Sequence, residues 1–190
     1  MELESKYPSK TWNCCPYCGS DYISWDGAHE THKMRCFKCN NVFYINAAAA
    51  VIALIFNSKN ELLLVRRKND PYKGALDLPG GFSDLLETAE DTVVREVKEE
   101  LNINVVDVKY YTSIPNRYPF GGTVYFTMDL VFVCKPENTN EINAADDITD
   151  YVFLPVEKID VDEIGLESVK ILVNKMKLDE NPINAFNRKS

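Results

Sequence analysis

Residues 80–103 read GGFSDLLETAEDTVVREVKEELNI: a glycine turn, a polar connection, then a helix with three carboxylates at close spacing. Thr88 followed by Asp91 is an N-cap with an acidic residue at the third helical position, and Glu90 and Asp91 put negative charge where the helix dipole favours it. Val93, Val94, Val97 and Leu101 recur every three or four residues, so one buried stripe is expected. Glu96, Glu99 and Glu100 fall beside that stripe at i, i+3 and i+4, converging on one patch.

That patch conflicts with two local rules. Like charges at such spacing cost roughly 0.2–0.5 kcal/mol per pair, and the last helical turn, where Glu99 and Glu100 sit, prefers cations. A solvated acidic face is the plain reading of three glutamates. A bound divalent cation is the functional reading, because it relieves both conflicts. Hard oxygen donors with no histidine among them point to magnesium or manganese rather than zinc. The wider spacing decides between the two: Gly81, five residues, Glu87, seven residues, then Arg95-Glu96-Val97-Lys98-Glu99-Glu100-Leu101-Asn102-Ile103. This run resembles the Nudix box. Asn102 stands where that family has glycine, just past the helix, and asparagine is the next-best residue for the left-handed backbone expected there.

The approach to the helix, KNDPYKGALDLPGGF at residues 68–82, is also similar to the family, with Leu76 where relatives often have tryptophan. Pro79-Gly80-Gly81 forces a sharp turn whose carbonyls can face a cation. Farther upstream, the AAAAVIALIF run at 47–56 reads as a buried strand, followed by a turn at 57–60 and a second strand at 62–67. Arg66 and Arg67 alternate in direction along that second strand, so one of them is expected to reach the site side and clamp a phosphate; the plain reading is a surface cation.

Two Cys-x-x-Cys pairs, Cys15–Cys18 and Cys36–Cys39, are separated by seventeen residues. This spacing is a strong four-thiolate signal and resembles a zinc ribbon, with two short strands at 21–25 and 31–35 joined by a turn at Asp26-Gly27. So short a segment buries too little core to fold unaided, and bound metal supplies the difference. Structural Zn2+ is the expected ion, iron in the same four sulfurs the lesser option. Cys14 is a substitute for Cys15, and His29 and His32 are expected to be exposed.

Downstream of the helix, residues 105–113 read as a strand and IPNRYPFGG, 114–122, as a loop carrying Tyr118 and Phe120. Those two rings either stack on a nucleobase or pack locally. TVYFTMDLVFVC, 123–134, alternates, so Val124, Phe126, Met128, Leu130, Phe132 and Cys134 are expected on one buried face. A polar loop then ends in Asp146 and Asp147, with Asp150 just before a strand at 151–154. The last helix is expected at 161–177, with Ile164, Val169, Leu172, Val173 and Met176 inward.

At 45% hydrophobic and 26% charged residues, the chain of 190 residues has the composition of a globular protein with room for one full domain and a small module. The formal charge of −8 lies wholly beyond residue 46, and neither part offers a basic footprint, so nucleic acid is not an expected partner. No run approaches a membrane span, and the first ten residues lack the apolar core of a signal peptide, which makes the cytoplasm the expected compartment.

The resemblance to Nudix hydrolases covers residues 47–177 and implies an α/β fold: an α/β/α sandwich with a mixed sheet, preceded by the small zinc-ribbon module. The expected division is a ribbon at 1–46, a Nudix domain at 47–178 and a loose tail at 179–190. The activity implied is hydrolysis, with Mg2+ or Mn2+, of a nucleoside diphosphate linked to another group: NADH, ADP-ribose or a related dinucleotide or nucleotide sugar. Glu96, Glu99 and Glu100 would hold metal with the Gly80 carbonyl, and Arg95 and Glu87 would pair to orient loop and helix. Asp147 matches the family's acidic segment that supplies a further ligand or base. A ribbon before the box is similar to the NADH pyrophosphatase subgroup. That subgroup carries SQPWPFP after the box, whereas Ser113-Ile114-Pro115-Asn116-Arg117-Tyr118-Pro119-Phe120 keeps only part of it. The alternative is a nucleotide-sensing module without turnover, its ribbon docking a partner; a homodimer contact through the ribbon is compatible with either.

Overall fold

The computed structural model describes residues 3–25, 32–139, 141–178 and 182. The chain divides into two compact units, one of residues 1–47 and 117–126, the other of residues 48–116 and 127–190.

In the first unit a short helix α1 (Pro8–Thr11) precedes three antiparallel strands, β1 (Ile23–Trp25), β2 (Lys33–Cys36) and β3 (Val42–Tyr44), in that order across the sheet. The register pairs Trp25 with Met34 and Met34 with Phe43. Met34, Cys15 and Cys36 are buried, and Trp12 lies against Phe43 with ring centroids 5.6 Å apart. The turn expected at Asp26-Gly27, and His29, lie outside the described residues; His32 is exposed.

The second unit is built on two three-stranded sheets. β4 (Ala48–Ile55), β8 (Thr123–Pro136) and β7 (Val105–Phe120) form one in the order β4-β8-β7, with β4 parallel to β8. β6 (Leu76–Asp77), β5 (Leu62–Arg67) and β9 (Ile148–Leu154) form the other, wholly antiparallel. Helix α2 (Ala89–Leu101) covers one face and α3 (Glu167–Leu178) the other. Alternate residues show this division. Ile52, Leu54, Leu62 and Leu64 pack with Val169, Leu172 and Val173 of α3. Val51, Ala53, Leu63 and Val65 pack with Val93, Val97 and Leu101 of α2. Strands buried on both faces read as unbroken apolar runs, which is why AAAAVIALIF and LLLV lack alternation.

Four expectations need correction. Residues 114–120 are not a loop: β7 runs on to Phe120, because Pro115 and Pro119 sit on an edge strand, where a missing N–H is tolerated, and the turn is only Gly121-Gly122, both at positive φ. The expected alternation in β8 fails at Met128, which is exposed while Thr127 and Asp129 are buried, and residues 131–134 are all buried because β8 is the central strand. Val94 is exposed, leaving Val93, Val97 and Leu101 as the α2 stripe. The last helix begins at Glu167 rather than 161: a 3-10 turn at Val161–Glu163 and a bridge from Leu76 to Ile164 come first. Ile164, Val169, Leu172, Val173 and Met176 are buried as expected, as is Cys134, whose thiol burial pushes up to about 12. The tail at 179–190 lies outside the described residues except for residue 182. No helix among the described residues is long and apolar enough to cross a membrane.

Asn102 has φ 56°, the left-handed conformation expected of it, and its N–H donates to the Lys98 carbonyl. Asn102→Gly is therefore expected to leave stability unchanged or slightly raised, and Asn102→Val to lower it by about 1–2 kcal/mol, the cost of the left-handed region for a branched residue. Urea midpoints of the two variants measure this; an unaffected Asn102→Val would show that the helix end does not depend on that conformation.

Candidate active site

The helix start fixes the first part of the site. The Thr88 side chain accepts the Asp91 N–H at 3.1 Å, and Glu87 immediately before it receives the Asp84 N–H and the Thr92 hydroxyl. Arg95 then reaches back over two turns. Its Nε and Nη2 donate to the two Glu87 oxygens at 2.9 and 3.0 Å, its Nη1 to Glu96 at 2.8 Å and Glu99 at 3.0 Å, and its Nη2 also to the Phe82 carbonyl. The Arg95 guanidinium, with these other donors, holds the Glu87 carboxyl down at about 2. One guanidinium thus joins the loop after Gly81 to the helix and partly neutralises the acidic patch.

The glycine turn meets the helix end at Glu100. This carboxylate is 6% exposed, and its Oε2 accepts the Gly80 N–H at 3.0 Å. On either side of Gly80 the carbonyls are taken: Pro79 O by the Ala53 N–H and Gly81 O by the Val51 N–H, both at 2.8 Å. Among the described residues the Gly80 carbonyl between them accepts no hydrogen bond. Gly80 has φ 150°, and a Cβ there would overlap the Val51 carbonyl; a Cβ on Gly81 would overlap the Glu96 carboxylate. The turn is therefore pressed between β4 and α2, against the carboxylates of Glu96 and Glu100, with one of its carbonyls left over.

Burial pushes the Glu100 carboxyl well above its ordinary range, and the nearby charges of Glu96, Asp77 and Asp147 add to this against the lowering effect of the Gly80 N–H. Burial raises Glu96 too, partly offset by Arg95. Two desolvated carboxylates and an unclaimed carbonyl are hard oxygen donors, so the donor set suits Mg2+ or Mn2+. Glu99 is the outlier of the three glutamates: it is about half exposed and, among the described residues, tied in through Arg95 alone.

Past the helix, the 141–147 segment folds back on it. Its Asn143 and Ala145 N–H groups donate to the Leu101 and Glu100 carbonyls, satisfying helix-end acceptors that otherwise lack partners. Asp147, in electrostatic range of Glu100, accepts from the Asn69 side chain at 2.8 Å through Oδ1 and from the Lys68 N–H through its carbonyl.

The strand arginines separate. Arg66 follows Leu62 and Leu64 to the α3 face, where it pairs with Glu163 at 3.1 Å, donates to the Gly74 carbonyl and lines a cavity of about 370 Å³ with Lys158 and Asp160. It does not join the α2 side, since the parity of a strand sends neighbours to opposite faces. Arg67 follows Leu63 and Val65 to the α2 side, but its guanidinium is engaged by Asp77 at 2.7 Å and by the Pro71 carbonyl. Tyr118 and Phe120 lie on β7 in the first unit, with ring centroids 6.3 Å apart.

Sequence reasoning missed Asp77, which is 5% exposed, and the buried pair Thr127 and Asp129, joined at 2.6 Å. A charged residue between Leu76 and Leu78, ahead of a turn, was the available signal for Asp77. In the first unit, the sulfurs of Cys15, Cys18, Cys36 and Cys39 all lie within 4.8 Å of one another, with Cys15–Cys39 and Cys18–Cys36 both at 3.7 Å. A tetrahedral ion with Zn–S bonds of about 2.3 Å spaces its sulfurs by roughly 3.8 Å, so the four fit zinc. Cys14 is exposed and outside the cluster.

Comparison with known proteins agrees with this geometry. The model of the NUDIX domain matches residues 46–173. The ADP-ribose pyrophosphatase of Methanocaldococcus jannaschii is 33% identical over 138 residues, covering 70% of this chain and 76% of that protein. The NAD-capped RNA hydrolase NudC of Vibrio vulnificus is 28% identical over 128 residues, and the match spans 67% of this chain but only 47% of that protein. Among solved structures, a NUDIX hydrolase from Nitrosomonas europaea superposes with a TM-score of 0.63 at 19% identity, covering 87% of this chain and 90% of its own, which shows the shared fold. With the box, the fold and two-thirds of the sequence accounted for, the chain belongs to the Nudix family of hydrolases acting on pyrophosphate bonds.

Proposed function

We propose that this protein is a magnesium- or manganese-dependent pyrophosphohydrolase whose substrate is a nucleoside diphosphate linked to a second group, ADP-ribose first and NADH second. One observation carries the reading: the glycine turn meets two desolvated carboxylates, the Gly80 N–H donating to Glu100 and Gly81 abutting Glu96, which Arg95 of the Arg95–Glu87 clamp holds. A metal ion bound there supplies charge neutralisation for the diphosphate and acidifies water. Water adds to one phosphorus, the bridging P–O bond breaks, and ADP-ribose yields AMP and ribose 5-phosphate. Glu96 and Glu100 are assigned as metal ligands, Glu99 as an outer ligand and Asp147 as the candidate to orient or deprotonate the water. Arg95 and Glu87 are assigned to position the loop against the helix. Tyr118 and Phe120 stand as candidates for base stacking. The four ribbon cysteines are assigned to structural Zn2+.

ADP-ribose comes first for two reasons. The archaeal ADP-ribose pyrophosphatase matches over 76% of its own length, against 47% for the Vibrio NudC. In addition, Ile114, Asn116 and Arg117 depart from the motif expected of an NADH-cleaving subgroup. Phosphate-bond cleavage assayed with magnesium on ADP-ribose, NADH, diadenosine polyphosphates and nucleoside triphosphates tests this directly. Turnover is expected on the first two; binding without turnover on every member would overturn the reading.

Glu100→Gln keeps an acceptor for the Gly80 N–H but removes a desolvated charge. It is expected to lower kcat by about 100-fold or more, the scale on which positioned groups act, with an unchanged or raised Tm. Wild-type kcat in this variant would remove Glu100 from the mechanism.

The same burial makes a pH prediction. Burial shifts proton release by native Glu96 and Glu100 to higher pH than in the unfolded chain, where such carboxyls titrate near 4.5, so metal-free stability is expected to fall as pH rises above that value. Glu87, at about 2, works in the opposite sense between about 2 and 4.5, where stability rises with pH. Urea midpoints from about pH 5 to about pH 8 check the upper window: Glu100→Gln should lose less than the parent, and magnesium, which displaces those protons, should flatten the parent's slope. Identical slopes for parent and variant would show that Glu100 titrates normally.

A further inference from the structure

Asp77 is a buried carboxylate outside the box, and an apolar residue would suit its place between Leu76 and Leu78. Both of its oxygens are used. Oδ2 accepts Arg67 Nη1 at 2.7 Å and Oδ1 accepts the Leu78 N–H at 2.8 Å. Burial raises its carboxyl against the lowering effect of Arg67, so the pair is held at an energetic cost. Holding β5 to β6 does not require it. The ladder already does so through Val65↔Asp77, Arg66↔Leu76 and the Arg67 N–H to the Ala75 carbonyl. What the carboxylate adds is the Leu78 N–H, the first group of the chain as it leaves the strand for the glycine turn.

From there each successive residue is fixed once: Leu78 by Asp77, Pro79 by Ala53, Gly80 by Glu100 and Gly81 by Val51. The chain has no slack between the Arg67–Asp77 pair and the Gly80 carbonyl. We propose that Arg67 and Asp77 are a positioning pair for the metal site, holding the 78–81 turn so that the Gly80 carbonyl and the Glu100 carboxylate face one cation. The proposal rests on the metal-dependent reading above and extends it to two residues outside the box. It also gives Arg67 a role other than phosphate clamping: its Nη1 holds the carboxylate that fixes the start of the turn.

Manganese binding to the substrate-free protein, followed by the paramagnetic resonance signal of free Mn2+, tests the pair without turnover. Asp77→Asn keeps the size of the side chain but lacks a second acceptor oxygen. The double variant Arg67→Gln with Asp77→Asn leaves no unpaired buried charge and serves if the single variant does not fold. Each folded variant is expected to bind Mn2+ about 10-fold or more weakly, with the magnesium concentration for half-maximal turnover rising in step, as when outer partners of a ligand set are removed. The KM for ADP-ribose at saturating metal is expected to stay within about twofold, which separates a displaced metal site from general loosening. Wild-type Mn2+ affinity in either folded variant, or a KM that rises with the metal requirement unchanged, would overturn the proposal. A parent protein that binds Mn2+ but cleaves none of the nucleotides would instead count against the hydrolytic reading, and the Mn2+ affinities would still judge the pair.

Discussion

A single hydrogen bond, from the Gly80 N–H to a carboxylate twenty residues later on Glu100, ties the two halves of the site together. Neither partner stays in place by its own preference. Gly80 holds a backbone that a side chain would exclude, and Glu100 is a buried charge at the helix end where the dipole opposes it. Both are imposed by packing: Val93, Val97 and Leu101 seat the helix on the strands, and Val51 and Ala53 grip the turn on either side. The apolar core thus sustains an electrostatic conflict at one point of its surface, where local rules are broken together.

Arg95 has a different task from the expected metal. It satisfies Glu87 bidentately and touches Glu96 and Glu99, but no bond joins it to Glu100. The outer part of the acidic patch is therefore already compensated by a cation within the protein, while its inner part has the Gly80 N–H and is relieved further by protonation or by a bound cation. This gradient runs from a Glu87 held strongly acidic just ahead of the N-cap to a Glu100 held weakly acidic in the last turn of the same helix.

Much of this was legible in the residues. The N-cap at Thr88, the left-handed Asn102, the α2 stripe apart from Val94 and the four-cysteine cluster follow from local spacing, because caps, periodicity and ligand spacing are short-range properties, whereas the layer order was implied by the family resemblance. What escaped depends on partners remote in sequence. Pro115 and Pro119 look like loop residues until the strand carrying them proves to be an edge. Met128 looks inward until β8 is seen to be central, and the faces reached by Arg66 and Arg67 depended on where each helix docks. Asp77 is the sharpest case: its meaning lies in Arg67, ten residues away, and in a turn whose importance only the assembled site reveals.

The way β5 serves two cores at once has a consequence for how this chain can vary. Leu62 and Leu64 belong to one core, Leu63 and Val65 to the other, and Arg66 and Arg67 inherit the same alternation. Conservative swaps among aliphatic side chains disturb one core at a time. Deleting or inserting a single residue in the strand exchanges both sets and turns both arginines over together, detaching Asp77 from its guanidinium in the same step. Across descendants of this sequence, the length of that segment should be inherited more strictly than the identity of any one of its leucines.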